Sequence, residues 1–229
     1  MLTMQNHLLQ ALPPADLKRL LGSCERVDLL LAEVVWEPGE PLRHVDFVTD
    51  GFISLVALLE GHPGLEVGMV GREGMLGAQL ALGLKTAPLR AVVQGGGSAL
   101  RISSAAFNIE LERSAPLRRV VNRYLSVLMA HLAASIACAR FHMIGPRLAR
   151  WLLMSQDRAL ADSFPMTHEF LAYMLGVRRV GVTVAASALQ RGGLIEYHRG
   201  HMTVLDRAGL EAAACSCYAS DLNAYAALA

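Results

Sequence analysis

Residues 167 to 190 read Thr167-His168-Glu169-Phe170-Leu171-Ala172-Tyr173-Met174-Leu175-Gly176-Val177-Arg178-Arg179-Val180-Gly181-Val182-Thr183-Val184-Ala185-Ala186-Ser187-Ala188-Leu189-Gln190. Thr167 is a good N-cap, because its hydroxyl can accept from a backbone N–H that has no partner inside the helix. Phe170, Leu171, Met174 and Leu175 then recur at helical spacing and give a short first helix one apolar face. Gly176 is placed for a left-handed turn, which glycine enters without a Cβ clash. A second helix over about 178–191 buries Val182, Ala185, Ala186 and Leu189 and stops at Gly192-Gly193. Arg178 and Arg179 fall in its first turn, where the helix dipole disfavours cations. A bound phosphate would offset that cost. The layout is that of a helix-turn-helix, a module that places its second helix in the DNA major groove.

The residues that follow strengthen this expectation. Leu194 to His198 and Met202 to Leu205 read as two short strands around Arg199-Gly200-His201, a β-hairpin with a basic tip. A hairpin after a helix-turn-helix makes a winged helix, with Arg199 and His201 at the tip to touch phosphates.

The 229 residues carry a formal net charge of only +1, which argues against a protein that coats nucleic acid indiscriminately. The distribution is more informative. Residues 140–207 hold nine Arg against five Asp and Glu, a net of +4, whereas residues 1–139 hold twelve Lys and Arg against thirteen acids, a net of −1. The excess lies where the motif lies. Apolar residues make up 53% of the chain, yet no uninterrupted run approaches the roughly 20 residues that span a bilayer. No signal-peptide pattern opens the sequence. Cytoplasmic location and no membrane partner are therefore expected. Cys24, Cys138, Cys215 and Cys217 are too few and scattered for a secreted disulfide framework.

Upstream, residues 1–26 read as short helices around Leu8, Leu9 and Leu12 and then Asp16 to Leu21, after Pro13-Pro14. From about 27 to 107 the texture becomes short apolar runs cut by turns: Val27–Trp36, Val45–Thr49, Phe52–Leu59, Leu65–Val70, Leu89–Gln94 and Ala99–Ile102. Turns are expected at Glu37-Pro38-Gly39-Glu40, at Asp50-Gly51 and at Gly95-Gly96-Gly97. The last of these could otherwise cradle an anion. Such spacing suggests an antiparallel roll. Between Pro116 and Pro146 a helix of about 28 residues, about 42 Å long, carries the stripe Leu117, Val121, Tyr124, Leu128 and His131. Pairing with a second copy of the chain is expected along it, the alternative being burial against the chain's own roll. The fold class is α+β: a β-roll over 1–112, a dimerisation helix over 113–143 and a winged helix over 144–229.

A β-roll, a long helix and a C-terminal winged helix, in that order, resemble the Crp/Fnr family of bacterial transcription regulators. The most specific parts are Glu37-Pro38-Gly39-Glu40 with Asp50-Gly51, and the gapless stretch from Thr167 to Ile195. The resemblance implies a homodimeric regulator that contacts double-stranded DNA at a roughly palindromic operator, with RNA polymerase as a further candidate partner. It gives Arg179 the contact to guanine or backbone in the groove. Thr167, His168, Arg178, Thr183, Arg199 and His201 complete the expected DNA-binding set. An arginine fork on guanine O6 and N7 is worth about 1–3 kcal/mol of base discrimination.

Two departures follow. Well-known members carry a glutamate one position after this arginine and a second arginine four positions later, where this chain has Val180 and Val184. A different operator is implied. In the cyclic-nucleotide cassette the ribose-binding glutamate falls on Ala78 and the phosphate-binding arginine on Leu89, with Arg90 displaced by one. A one-residue shift on a strand turns a side chain to the opposite face. The effector pocket would comprise Gly77, Ala78, Gln79 and Arg90, and its ligand is expected not to be cyclic AMP.

No metal, cofactor or catalytic residue is expected. An iron–sulfur cluster needs about four thiolates, and the N-terminal region offers only Cys24. Cys215-Ser216-Cys217 has no His or further Cys at a useful spacing. His44 and His62 lack the close histidine spacing of a cupin metal site, and His131 reads as an interface or core histidine. The alternative reading is a small-molecule-binding protein whose winged helix contacts other proteins.

Overall fold

The computed structural model describes residues 6–62 and 64–226 and is mixed helix and antiparallel sheet. Helices α1 (His7–Gln10) and α2 (Pro14–Leu21) precede strands β1 (Glu25–Leu29), β2 (Val34–Trp36), β3 (His44–Ala57), β4 (Leu65–Val70), β5 (Met75–Leu76) and β6 (Arg90–Ser103). The strands form one sheet in the order β1-β6-β3-β4, with β2 also on β6 and β5 on β3. Then follow α3 (Ser104–Arg113), α4 (Ala115–Phe141), α5 (Ile144–Ala159), β7 (Ser163–Pro165), α6 (His168–Leu175), α7 (Arg179–Arg191), β8 (Ile195–His198), β9 (His201–Val204), α8 (Arg207–Ala213) and α9 (Cys217–Ala226). A β-roll followed by a winged helix is the architecture expected from the sequence.

The chain forms two compact units. Among the described residues, the first takes 6–55, 68–130 and 224–226, and the second takes 56–62, 64–67 and 131–223. The division falls inside α4, not at the helix ends.

In the first unit, Asn6 fastens α1 to the roll. Its Oδ1 accepts from the Leu8 and Leu9 amides, and its Nδ2 donates to Val48 O (2.9 Å) and Gly74 O (2.7 Å). Phe47 meets Phe107 edge-on at 6.3 Å inside a core that also takes Ile53, Met69, Met75, Ile102 and Tyr124.

Two expected turns are strand interior instead. Asp50-Gly51 lies within the 14-residue β3, and Gly95-Gly96-Gly97 lies within the 14-residue β6. The glycines allow the two backbones to touch. Gly51 has φ +72°, and a Cβ there would sit 2.2 Å from Gly95 O; one on Gly97 would sit 2.2 Å from Asp50 O. Glycine marks close backbone approach here, which local sequence does not distinguish from a turn. Conversely, the run Val27–Trp36 is broken between β1 and β2, where Ala32 takes φ +67°.

The stripe assigned to dimerisation needs correction. Leu117, Val121, Tyr124 and His131 are 2%, 0%, 0% and 2% exposed in the single chain, and Leu128 is half-buried. They are core residues. The apolar side of α4 that faces solvent holds Met129 (63%) and Ile136 (59%), with exposed Ala133 between them. By length and hydropathy α4 is able to cross a membrane, but Leu117, Val121, Tyr124 and Leu125 are committed to the chain's own core.

Candidate nucleic-acid interface

In the second unit α5 is the central support, with Leu148, Leu152 and Leu153 fully buried. Helices α6 and α7 meet at a bend of 110°, within the range of a helix-turn-helix. Thr167 caps α6 by accepting from the Phe170 amide at 3.1 Å. Gly176 ends it in the left-handed conformation, φ 62° and ψ 39°. Leu171, Met174 and Leu175 of α6, and Val182, Ala185, Ala186 and Leu189 of α7, form the seam. The sequence does not point to Arg147 as a further clamp on the turn. It is buried on α5 and donates from Nη2 to the Leu175 carbonyl, one of the carbonyls left without a helical partner at the end of α6. Burial lowers the pKa of its guanidinium.

The opposite side of α7 is open. Arg178 is its N-cap residue, one position before the helix, and Arg179 is its first residue. Both are exposed. Val180 is 73% and Val184 64% exposed. Thr183 is exposed, but its hydroxyl is already engaged. It donates to Arg179 O and lies 3.1 Å from His168 Nδ1. The His168 ring stacks on Tyr197 at 4.2 Å. These three residues brace α6, α7 and β8 together, with Gln190 Oε1 accepting from the Tyr197 amide. Burial, and then the Arg179 charge, hold His168 below the ordinary histidine pKa. Its ring is thus kept neutral beside the arginine.

The wing is a three-stranded sheet, β7-β9-β8. Its first strand, Ser163–Pro165, reads as loop in the sequence, because a three-residue strand ending in proline carries no alternation. Between β8 and β9 the turn is the two residues Arg199 and Gly200, with φ +47° and +82°. Positive φ at both central positions is the tight turn that matches strand twist. It leaves His198, Arg199 and His201 exposed at the tip.

Of the residues expected to form an effector pocket with Gln79, the surroundings of Gly77, Ala78 and Arg90 are as follows. Gly77 has φ +90°, and a Cβ there would lie 3.2 Å from the Trp36 ring. Ala78 is 1% exposed in a short 3-10 turn over 78–82. Arg90 forks onto Glu37, Nε to Oε2 at 3.0 Å and Nη2 to Oε1 at 2.9 Å. Its guanidinium is thus bound within the unit. Deeper in the roll, fully buried Asp46 takes both arms of Arg101, at 2.7 and 2.8 Å, with His44 Nε2 at 3.3 Å. Burial opposes the charge on Asp46, but these partners outweigh it and hold the carboxyl below its usual range.

The expectation that Cys215 and Cys217 lack companions fails in three dimensions. Cys138 and His142, one helical turn apart, reach them from the end of α4. Cys138 Sγ is 3.5 Å from Cys215 Sγ, and Cys217 Sγ is 3.6 Å from His142 Nδ1. Sequence spacing concealed the group because its halves are separated by more than 70 residues. Beside it, Asp221 of α9 binds His131 Nδ1 at 3.0 Å and Arg150 Nε at 2.8 Å.

Residues 146–213 match the family model of the Crp-like helix-turn-helix domain. No curated protein matches the sequence. Among solved structures, the chain is similar to a transcriptional regulator of the Crp/Fnr family from Eubacterium rectale, at 18% identity and a TM-score of 0.70, over 90% of this chain and 96% of that one. It is also similar to FixK2 from Bradyrhizobium japonicum, at 16% identity and 0.69, over 84% and 98%. A third is the c-di-GMP-responsive global regulator CLP of Xanthomonas campestris, at 18% and 0.67, over 84% and 99%. The domain match falls on the helix-turn-helix and wing described above, and the structural likeness extends over most of the chain. The protein therefore has the fold of the Crp/Fnr family of transcription regulators and carries that family's Crp-like helix-turn-helix domain.

Proposed function

We propose that the protein is a sequence-specific DNA-binding transcription regulator that acts as a homodimer in the cytoplasm and has no catalytic role. The observation that carries this reading is the outward face of α7, where Arg178, Arg179, Val180 and Val184 stand exposed on a helix held at 110° to α6. An arginine at the start of such a helix can fork onto guanine, and a valine can meet the methyl of thymine. The wing residues His198, Arg199 and His201 supply backbone contacts that position the helix without reading sequence. Thr167 and Thr183 hold the reading head in shape, since their hydroxyls serve backbone groups of α6 and α7.

Dimerisation uses the solvent face of α4, centred on Met129, Ala133 and Ile136, in place of the buried stripe. The roll serves as scaffold, or as a sensor for a ligand other than cyclic AMP. Ala78 offers no carboxylate to a ribose, and Arg90 is already bound to Glu37.

Selection of duplexes from a random pool tests the reading. The expected product is a near-palindrome whose half-sites are centred about 34–36 Å apart, one helical turn of DNA. Failure to enrich any sequence, or enrichment of a solitary half-site, would contradict a two-fold reader.

A further inference from the structure

We propose that Cys138, His142, Cys215 and Cys217 form a binding site for one zinc ion, closed and structural in character. This goes beyond the DNA-binding reading and does not depend on it. The four donor atoms lie within 4.8 Å of one another, and all three cysteines are free thiols. Three sulfurs and one imidazole nitrogen are a frequent donor set for tetrahedral zinc. Bond lengths of about 2.3 Å to sulfur and about 2.0–2.1 Å to nitrogen imply tetrahedral edges of roughly 3.8 Å between sulfurs and roughly 3.6 Å between sulfur and nitrogen. The observed separations are 3.5 Å for Cys138 to Cys215 and 3.6 Å for Cys217 to His142 Nδ1. Four donors this close enclose a single ion; they are too crowded to surround a multi-iron cluster.

The setting suits the charge. Three thiolates around a divalent ion leave one net negative charge. The charges of Arg150 and Arg147, both largely buried, bear on Cys138 and Cys215. Cys138 and Cys215 are buried, while Cys217 and His142 are half-exposed, so the ion can reach the site from solvent. On binding, each thiol passes its proton to solvent and the imidazole binds through neutral Nδ1. With four protein donors no position remains for water or substrate, which marks the site as structural.

The ligands come from two segments. Cys138 and His142 close the C-terminal end of α4 and open its connection to α5; Cys215 and Cys217 flank the junction of α8 and α9. A bound ion therefore fastens the α8–α9 junction to the end of α4. The Asp221 contacts to His131 and Arg150 continue that attachment along α9.

The test uses the full chain, produced with zinc and kept reduced, then analysed by elemental mass spectrometry and by replacement with Co2+. The expected result is one zinc per chain, with sulfur-to-cobalt charge-transfer absorption and the visible bands of tetrahedral Co2+. Cys138→Ser and Cys217→Ser should each abolish stoichiometric binding. His142→Ala, at a half-exposed position just past the end of α4, should weaken Co2+ binding while its circular dichroism matches the parent. Metal-free reduced parent, a full equivalent retained in every variant, or a persistent Cys138–Cys215 disulfide read as a two-hydrogen mass loss would each overturn the proposal.

Discussion

Arginines in the roll and arginines on α7 have the same chemistry and opposite surroundings. In the roll, Arg101 forks onto buried Asp46 and Arg90 onto Glu37. On α7, Arg178 and Arg179 are exposed and have no carboxylate partner among the described residues. An arginine with a fixed carboxylate is electrostatically satisfied within the fold. One at the positive end of a helix is not, and an incoming anion relieves it. Trp36, Phe47 and Met75 of the roll are buried, whereas Val180 and Val184 are left in water. Arg101 and Arg90 hold their charge against carboxylates of the roll, whereas Arg178 and Arg179 present theirs to solvent.

The largest effect should come from breaking the paired side. Asp46→Ala removes both charge-assisted hydrogen bonds of the half-buried Arg101 guanidinium and should cost about 1.5–3 kcal/mol of stability, read by urea denaturation. The same carboxylate gives a pH signature. Its folded pKa lies below the unfolded value, so its stabilisation is complete above about pH 4 and is lost as pH falls through the folded value. Asp46→Asn should flatten that acid limb. If the acid limb is unchanged, Asp46 is not the group that holds the roll.

A smaller effect sharpens the exposed side. Val180→Ala removes methyls that touch no core, so stability should move by no more than about 0.5 kcal/mol. Operator preference should weaken by about 1 kcal/mol at one base pair per half-site, the worth of a buried methyl or two. A competition assay with singly substituted duplexes measures this; an unchanged preference would take Val180 out of the groove. The smallest effect belongs to Arg90→Ala. The Arg90–Glu37 pair is substantially solvated, so its loss should cost at most about 1 kcal/mol and leave operator affinity unaltered. A large drop in DNA binding would instead make Arg90 part of an effector response.

Much of the helix-turn-helix was legible in the sequence because its rules are local. The Thr167 cap, the Gly176 turn and the apolar spacing of α6 and α7 are each fixed by near neighbours along the chain. The Arg199-Gly200 turn is equally local, and only the boundary at Arg178 moved by one residue. The roll was legible as a class but not in register. Gly51 and Gly97 looked like turn residues, and only the partner strand shows that they permit two backbones to touch. The side of α4 was misread for a related reason: a helical stripe marks an apolar face without saying what covers it. Leu117 to Tyr124 went to the chain's own core, which left Met129 and Ile136 outside. The cysteine–histidine group was invisible because it joins residues 138–142 to 215–217, a proximity that no spacing rule encodes.

Arg179→Ala tests the central claim most directly. Its affinity for the selected operator, measured by fluorescence anisotropy beside the parent, should fall by about 1–3 kcal/mol, with relaxed preference at one base pair per half-site. The thermal unfolding midpoint should not move, because Arg179 is exposed. If the variant binds its best operator as tightly and as selectively as the parent, α7 is not the helix in the groove.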